Sequence, residues 1–338
     1  MKRLFSIFFS LIITAVLFTV GCTAKAQAQA QALPAADTQE VQQILAQAQT
    51  TPVNNTPAVY MTAQITPAGL MAVYNALGLA ANGKVAVKIS TGEPGNPHFL
   101  APSLIKDLVQ RVNGTIVECN TAYGGRRAST AAHYQVARDH GFTAIAPVVI
   151  LDERSDISLP VINGKHLNEN IVGSRFTEFN FHVVLSHFKG HQMGGFGGAV
   201  KNLSIGYASK VGKNWIHSAG KSKTSMRGVQ NDFLESMAEA AKTIVDANRG
   251  RILYINVMNH LSVDCDCNGR PAAPTMADIG ILASLDPVAL DQACVDLVYA
   301  ASDGRDLVRR IEQMNGLLTL EHSENIGLGS RKYRLIKL

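Results

Sequence analysis

The sequence has no acidic residue between positions 179 and 231, few aromatics, and no nucleotide-binding glycine fingerprint. Each absence narrows the function. No G-x-G-x-x-G or P-loop pattern falls in a strand–turn–helix context, which argues against a Rossmann or Walker-type nucleotide site. Aromatic residues make up 6% of the chain and do not interleave with basic clusters, and a net charge of +5 is modest for 338 residues. Nucleic acid is therefore not an expected partner. No internal repeat is visible, which removes solenoids and propellers. Hydrophobic residues at 46% and a mean hydropathy of +0.07 are those of an ordinary globular core.

The first residues read as an export signal. Lys2 and Arg3 precede an apolar run over 4–20, too short and too punctuated by Ser and Thr for a stable membrane span. The run ends in Thr19-Val20-Gly21-Cys22, which resembles a lipobox; Thr19 departs from the usual Leu. Cleavage there makes 1–22 a lipoprotein-type signal peptide and leaves Cys22 lipidated, anchoring an exported protein to the membrane in the cell envelope. Ordinary cleavage after Ala26 or Ala28 is the competing reading. Residues 23–57, rich in Ala and Gln, have little to bury and read as a tether. The domain is expected over 58–338.

Within it, strand-like and helical runs alternate. Strands are predicted at 58–63, 84–89, 115–119, 146–151, 181–185, 252–257, 279–283 and 333–337. Helices are predicted at 68–79, 100–112, 130–139, 232–248 and 287–300. The implied fold class is α/β, one large domain with a largely parallel sheet covered by helices on both faces. Ligand sites in such sheets lie at the carboxyl ends of strands.

The chemistry concentrates in the acid-free stretch. It holds Lys189, Lys201, Lys210, Lys213, Lys221, Lys223 and Arg227, four histidines (His182, His187, His191, His217), and a glycine cluster that includes Gly195, Gly197 and Gly198. Glycine lets backbone N–H groups approach an anion, lysine adds charge, and a helix starting after the glycines adds its dipole. Lys189, Lys201, Asn202 and the three glycines are thus candidates to bind an anionic small molecule or cofactor. Arg126 and Arg127, after the strand at 115–119, could hold a second anionic group. His187 and His191, four apart, are candidates for proton transfer or for a metal pair.

Asp264-Cys265-Asp266-Cys267 follows the strand at 252–257. A disulfide within this pair would be strained, so it is expected reduced, metal-bound or bonded elsewhere. Cys265 and Cys267 supply half of a tetrahedral metal site and need further ligands, such as Cys119 or a histidine. Cys294 sits in an apolar helix and reads as a buried small hydrophobe. Asp286-Pro287 reads as a helix N-cap, and Asp278 as a turn aspartate.

Four segments carry a resemblance. They are VYMTAQITPAGLMAVYNALG, HVVLSHFKGHQMGGFGGAVKNLSIG, DCDCNGRPAAPTMADIGILASLDPVALDQACVDLV and HSENIGLGSRKYRLI. In this order, over residues 58–338, they resemble the uncharacterised domain family 362. Many members carry a 4Fe–4S ferredoxin insert before the DCDC segment. This chain has only 218–231 there, without cysteine, which removes the usual argument for an iron–sulfur protein. A shorter stretch, SHFKGHQMGGFGGAVKNLSIG with the following His217, resembles the cofactor segment of nickel-pincer lactate racemases. That resemblance implies a nucleotide-derived cofactor on Lys201, a metal at His217 and proton transfer at His191. GRRAST resembles the segment of the partner histidine, but Arg126 stands in its place, so two-base racemisation is not implied.

Two functions stay open. One is an exported protein that binds a transition metal (Ni or Fe) or a nucleotide-derived cofactor, with His217, Cys265 and Cys267 as metal ligands and redox or isomerase-like activity. The other is a non-catalytic solute-binding lipoprotein for an anionic small molecule.

Overall fold

A computed structural model describes residues 56–338. The signal peptide, Cys22 and the tether up to residue 55 lie outside the described residues. Among the described residues no helix is long and apolar enough to cross a membrane.

The chain runs β1 (Ala58–Thr62), α1 (Pro67–Ala76), β2 (Val85–Lys88), α2 (Pro102–Arg111), β3 (Gly114–Glu118), α3 (Thr130–Asp139), β4 (Val148–Ile150) and a hairpin of β5 (Asp156–Pro160) with β6 (Glu169–Gly173). There follow β7 (Phe181–His187), a small hairpin of β8 (Lys189–His191) with β9 (Gly195–Gly197), and a helical turn, Ala199–Lys201, that widens into a π turn, Asn202–Gly206. The remainder is α4 (Lys210–His217), α5 (Gln230–Ala247), β10 (Ile252–Met258), β11 (Gly280–Ser284), α6 (Pro287–Ala300), α7 (Arg305–Gln313), α8 (Leu318–Asn325) and β12 (Arg334–Lys337).

Eight strands form the main sheet in the order β12-β1-β11-β10-β7-β2-β3-β4. Both neighbours of β11 run antiparallel to it, while all other adjacent pairs are parallel. The expected largely parallel α/β sheet is therefore present. Alternation along each strand sends side chains to two separate cores. Val183, Leu185, Leu253 and Ile255 join Leu70 and Val73 of α1 and Leu104 and Leu108 of α2 on one face. Val184 and Tyr254 join Ala199, Leu203, Ala241 of α5, and Val288 and Leu297 of α6 on the other. Strands buried on both faces read as near-continuous apolar runs, which is why β7 and β10 were legible despite a few polar residues.

Helix starts follow local chemistry. Thr66 Oγ1 accepts the Gly69 N–H at 3.0 Å, with Pro67 at the first helical position of α1. Asp286 accepts the N–H groups of Val288 and Ala289, each at 2.9 Å, ahead of Pro287, as its sequence implies. Asp278 accepts the His260 N–H at 2.7 Å, a turn role. Cys294 is fully buried in α6.

Candidate functional site

The carboxyl ends of β10, β7, β2 and β3, four consecutive strands of the sheet, converge on a cavity of about 530 Å³. Each contributes directly or through the loop that follows it: Cys265 to Gly269 after β10, Ser186 and His187 from β7, Lys88 and Ser90 from β2, and Glu118, Cys119 and Thr121 from β3. The acid-free stretch forms much of the remaining wall, through the β8–β9 hairpin, the 199–206 turns and α4.

Of the residues expected from sequence, His187, His191, Lys189, Gly197, Gly198, Lys201, Asn202, Arg127, His217, Cys265 and Cys267 all line this cavity. Two do not. Arg126 is exposed and lies 3.6 Å from Asp139, because the short turn holding it points its side chain outward. Gly195 has φ +77° in the β8–β9 turn and packs against Gly316 and Ile311, so its freedom serves the hairpin and not a ligand.

The cationic wall sorts into paired and unpaired groups. Lys189 pairs with Asp266, and His187 Nδ1 faces the same carboxylate at 3.3 Å while its Nε2 donates to the Asn259 carbonyl at 2.6 Å. Both residues therefore hold the 265–267 loop and are not free for a ligand. Arg127 is buried against two carboxylates, Glu93 at 2.9 Å and Glu118 at 3.2 Å. Its expected role as a free anion anchor does not fit this pairing. Lys88 donates to the Ile89 carbonyl at 2.7 Å and to Asn202 Oδ1 at 3.0 Å, and Lys213 donates to the Ala208 carbonyl at 2.5 Å. The Lys201 ammonium has no hydrogen-bond or ion-pair partner among the described residues. Burial first, then the positive charge of Lys88 and other cations, lowers its pKa to about 8 against the pull of Asp266. Burial likewise lowers Lys88 to about 8, with Glu118 opposing.

The helix N-terminus after the glycines is already filled. Asp291 accepts the N–H groups of Ala199 at 2.7 Å and Val200 at 2.9 Å, and Asn256 donates to it at 2.7 Å. A Cβ on Gly198 would lie 2.3 Å from this carboxylate. The expected anion at this dipole is thus the protein's own side chain, and Gly198 serves its approach.

The two remaining histidines differ in tautomer. His191 Nδ1 accepts the Gly194 N–H at 2.8 Å and the Met193 N–H at 3.3 Å, so its proton sits on Nε2. Burial, then Lys201 and His217, holds it well below the usual imidazole pKa. His217 Nδ1 donates to the Lys213 carbonyl at 2.6 Å, which leaves Nε2 as a lone pair. Burial lowers its pKa to about 4, and its ring stacks on Phe233 at 4.4 Å between centroids. One cavity thus holds a neutral imidazole that donates and a neutral imidazole that accepts.

Cys265 and Cys267 are joined in a disulfide across one residue, contrary to the expectation that they are reduced, metal-bound or paired elsewhere. The loop holds their Cα atoms 5.2 Å apart, inside the span a disulfide bridges. Their donor atoms and one of His191 lie within 4.8 Å of one another, so the histidine beside them is His191, where His217 was expected. Cys119 is free, buried, and donates to the Tyr207 carbonyl at 3.2 Å, with its thiol pushed up to about 12 by burial.

Sequence reasoning missed Lys88, Glu93 and Glu118 as parts of the site; Lys213 and Asp266 fell in segments it singled out but were given no role of their own. A lysine or glutamate closing an apolar run that a loop follows, as in VAVK and GTIVE, is the signal that could have found Lys88 and Glu118. Glu118 accepts from Thr91 and from His133, each at 2.6 Å; against burial, which raises it, Arg127 first, then His133 and Lys88, hold its carboxyl well below the usual range.

The sequence model of the family described as Domain of unknown function (DUF362) matches residues 85–296, and the chain belongs to this family. No curated protein matches the chain. Among solved structures, the chain is similar to a lactate racemase apoprotein from Thermoanaerobacterium thermosaccharolyticum, with 16% identity and a TM-score of 0.36. That match covers 59% of this chain and 50% of the racemase. A crystal structure of a protein from Thermotoga maritima gives 13% identity and a TM-score of 0.41 over 77% of this chain and 58% of that one. The chain thus spans half the length of the first structure and 58% of the second.

Proposed function

We propose that this DUF362 member binds an anionic small molecule or cofactor in the cavity and moves a proton on it, in an isomerase-like or redox reaction. One observation carries the reading: the unpartnered Lys201 ammonium shares a cavity with His191 and His217, two neutral histidines in opposite tautomers. Lys201 anchors negative charge. His191 Nε2–H donates to an oxygen on which charge develops, and His217 Nε2 accepts a proton. Four lysines and one arginine meet three carboxylates on this wall, so the site stays cationic after every internal pair is made.

The residues also fit a nucleotide-derived cofactor or a transition metal. Lys201 offers an amine without a partner, and His217 offers an Nε2 lone pair whose opposite nitrogen is fixed by a carbonyl, the arrangement of metal-ligating histidines. When bound, such a group would supply Lewis-acid or hydride chemistry. Arg126 points away, so that segment offers no second base.

For location, we propose export and anchoring through Cys22, supported by the charge, apolar and lipobox pattern of residues 1–22. A fatty-acid label lost in Cys22→Ala tests this.

The function test has two arms. Denaturing mass spectrometry and elemental analysis of the purified chain should show added mass on Lys201 or a stoichiometric metal. Small carboxylates incubated with the chain in D2O should exchange a C–H in a manner lost in His191→Gln and His217→Gln. Binding without exchange would replace this reading by solute capture. Neither binding, metal nor added mass would end it.

A further inference from the structure

We propose that Cys265 and Cys267 are a redox-active couple that opens into the ligand cavity and exchanges with a small anionic thiol. Both residues line the cavity; Cys119 also reaches its wall but is a free thiol only 3% exposed, and Cys294 is a free thiol buried in α6. A cross-link across one intervening residue constrains almost no chain in the unfolded state, so stability is a poor reason for this disulfide. Its position supplies another.

The two sulfurs are not equivalent. Cys265 is 6% exposed, while Cys267 is partly open to the cavity. Cys265 Sγ accepts the Cys267 N–H at 3.2 Å, and the His191 ring lies beside both sulfurs. Negative charge is therefore better accommodated on Cys265, and attack is easier at Cys267. The loop is held from several sides. The Asp266 carbonyl accepts the Glu93 N–H at 2.8 Å, the Cys265 carbonyl accepts the Asn268 N–H at 3.0 Å, and Lys189 fixes the Asp266 side chain. These contacts do not involve sulfur, so they keep the two cysteines adjacent in either redox state.

A small-molecule thiolate attacks Cys267 Sγ, the Sγ–Sγ bond breaks, and Cys265 leaves as a thiolate. A second thiolate attacks the external sulfur of the mixed disulfide and releases Cys267. Two external thiols are oxidised to a disulfide, two electrons enter the protein, and the two protons from those thiols end on the cysteines. The reverse reaction reduces an anionic disulfide. The choice of an anionic thiol rests on the anion-binding reading of Lys201; the redox couple does not.

The experiment treats the native chain with glutathione, which is anionic, or with neutral 2-mercaptoethanol at matched thiolate concentration, followed by iodoacetamide and peptide mass mapping. Two alkyl groups should appear at Cys265 and Cys267, with none at Cys119 or Cys294 until the chain is unfolded. Cys265→Ser, which has no disulfide to reduce, should instead take one glutathione on Cys267 from glutathione disulfide, with one glutathione thiolate released. Glutathione should react about 10-fold faster or more than the neutral thiol, an advantage lost in Lys201→Met. Alkylation of both residues without any reductant, or resistance to reduction until unfolding, overturns the redox couple. Native exchange at equal rates with both thiols overturns the anionic partner and the Lys201 reading, while leaving the couple in place.

Discussion

Replacing Lys201 with methionine should make the empty protein more stable and its ligand weaker. The amine falls from an ordinary pKa of 10.5 to about 8, chiefly by burial. At 1.36 kcal/mol for each tenfold change in proton affinity, keeping this ammonium in the wall opposes folding by about 3 kcal/mol. The sign follows from linkage. The folded chain holds the proton less tightly than the unfolded chain, so between pH 8 and 10.5 the unfolded chain binds more protons and stability climbs with pH. Below about pH 8 the penalty is complete. Lys201→Met removes the charge at similar length, and should gain about 2–3 kcal/mol at pH 7, shrinking as pH rises through 8 toward 10.5. Urea unfolding at pH 7 and 9.5 reads this, followed by fluorescence of Trp215, whose indole donates to the Glu169 carbonyl at 3.0 Å. The same variant should bind phosphate about 10- to 100-fold more weakly, as expected for losing a charged hydrogen bond. A variant less stable than the parent at pH 7, or a gain that does not change with pH, would show that Lys201 does not place a buried charge in the cavity.

Arg127→Met leaves Glu93 and Glu118 short of their shared cation and should cost about 3–5 kcal/mol in urea unfolding, whereas Arg126→Ala should stay within about 0.5 kcal/mol and leave anion binding unchanged. Gly198→Ala places a Cβ 2.3 Å from Asp291 Oδ1 and should destabilise by about 1–3 kcal/mol, read in the same assay. His217, depressed to about 4, stays neutral in the folded chain while the unfolded chain protonates near pH 6.5. Its contribution is lost as pH falls from 6.5 to 4, so His217→Gln should flatten the fall in urea midpoint between pH 7 and 4.5.

The sheet was legible because its central strands are buried on both faces and are mostly apolar, as in Phe181–His187 and Ile252–Met258. The β5–β6 hairpin was not, because Asp156–Pro160 alternates only Ile157 and Leu159 between exposed residues. Nor was α4, whose eight residues include Gly212 and two lysines. The site was legible by composition, since glycines, lysines and histidines accumulate in one segment. Its wiring was not. Lys88 and Glu118 sit inside strand patterns, Asp291 lies inside an apolar helix, and nothing local signals that they meet the 187–217 segment in space.

That wiring explains why an acid-free segment builds a selective site. The carboxylates are not missing from the cavity; they arrive from other parts of the chain, and each has a specific assignment. Asp266 takes Lys189, Glu93 and Glu118 take Arg127, and behind the wall Asp291 takes the backbone N–H groups at the helical turn. Lys88 and Lys213 are turned onto carbonyls. Had the segment carried its own acids, any of them could have neutralised Lys201 at short range. Supplying the acids from a distance satisfies the structural cations and leaves this one amine uncompensated. An acid placed within reach of it, as in Ile205→Glu on the same cavity wall, should therefore abolish phosphate binding while the rest of the cationic wall remains. Retained binding in that variant would mean that the anion is held by the wall as a whole and not by Lys201.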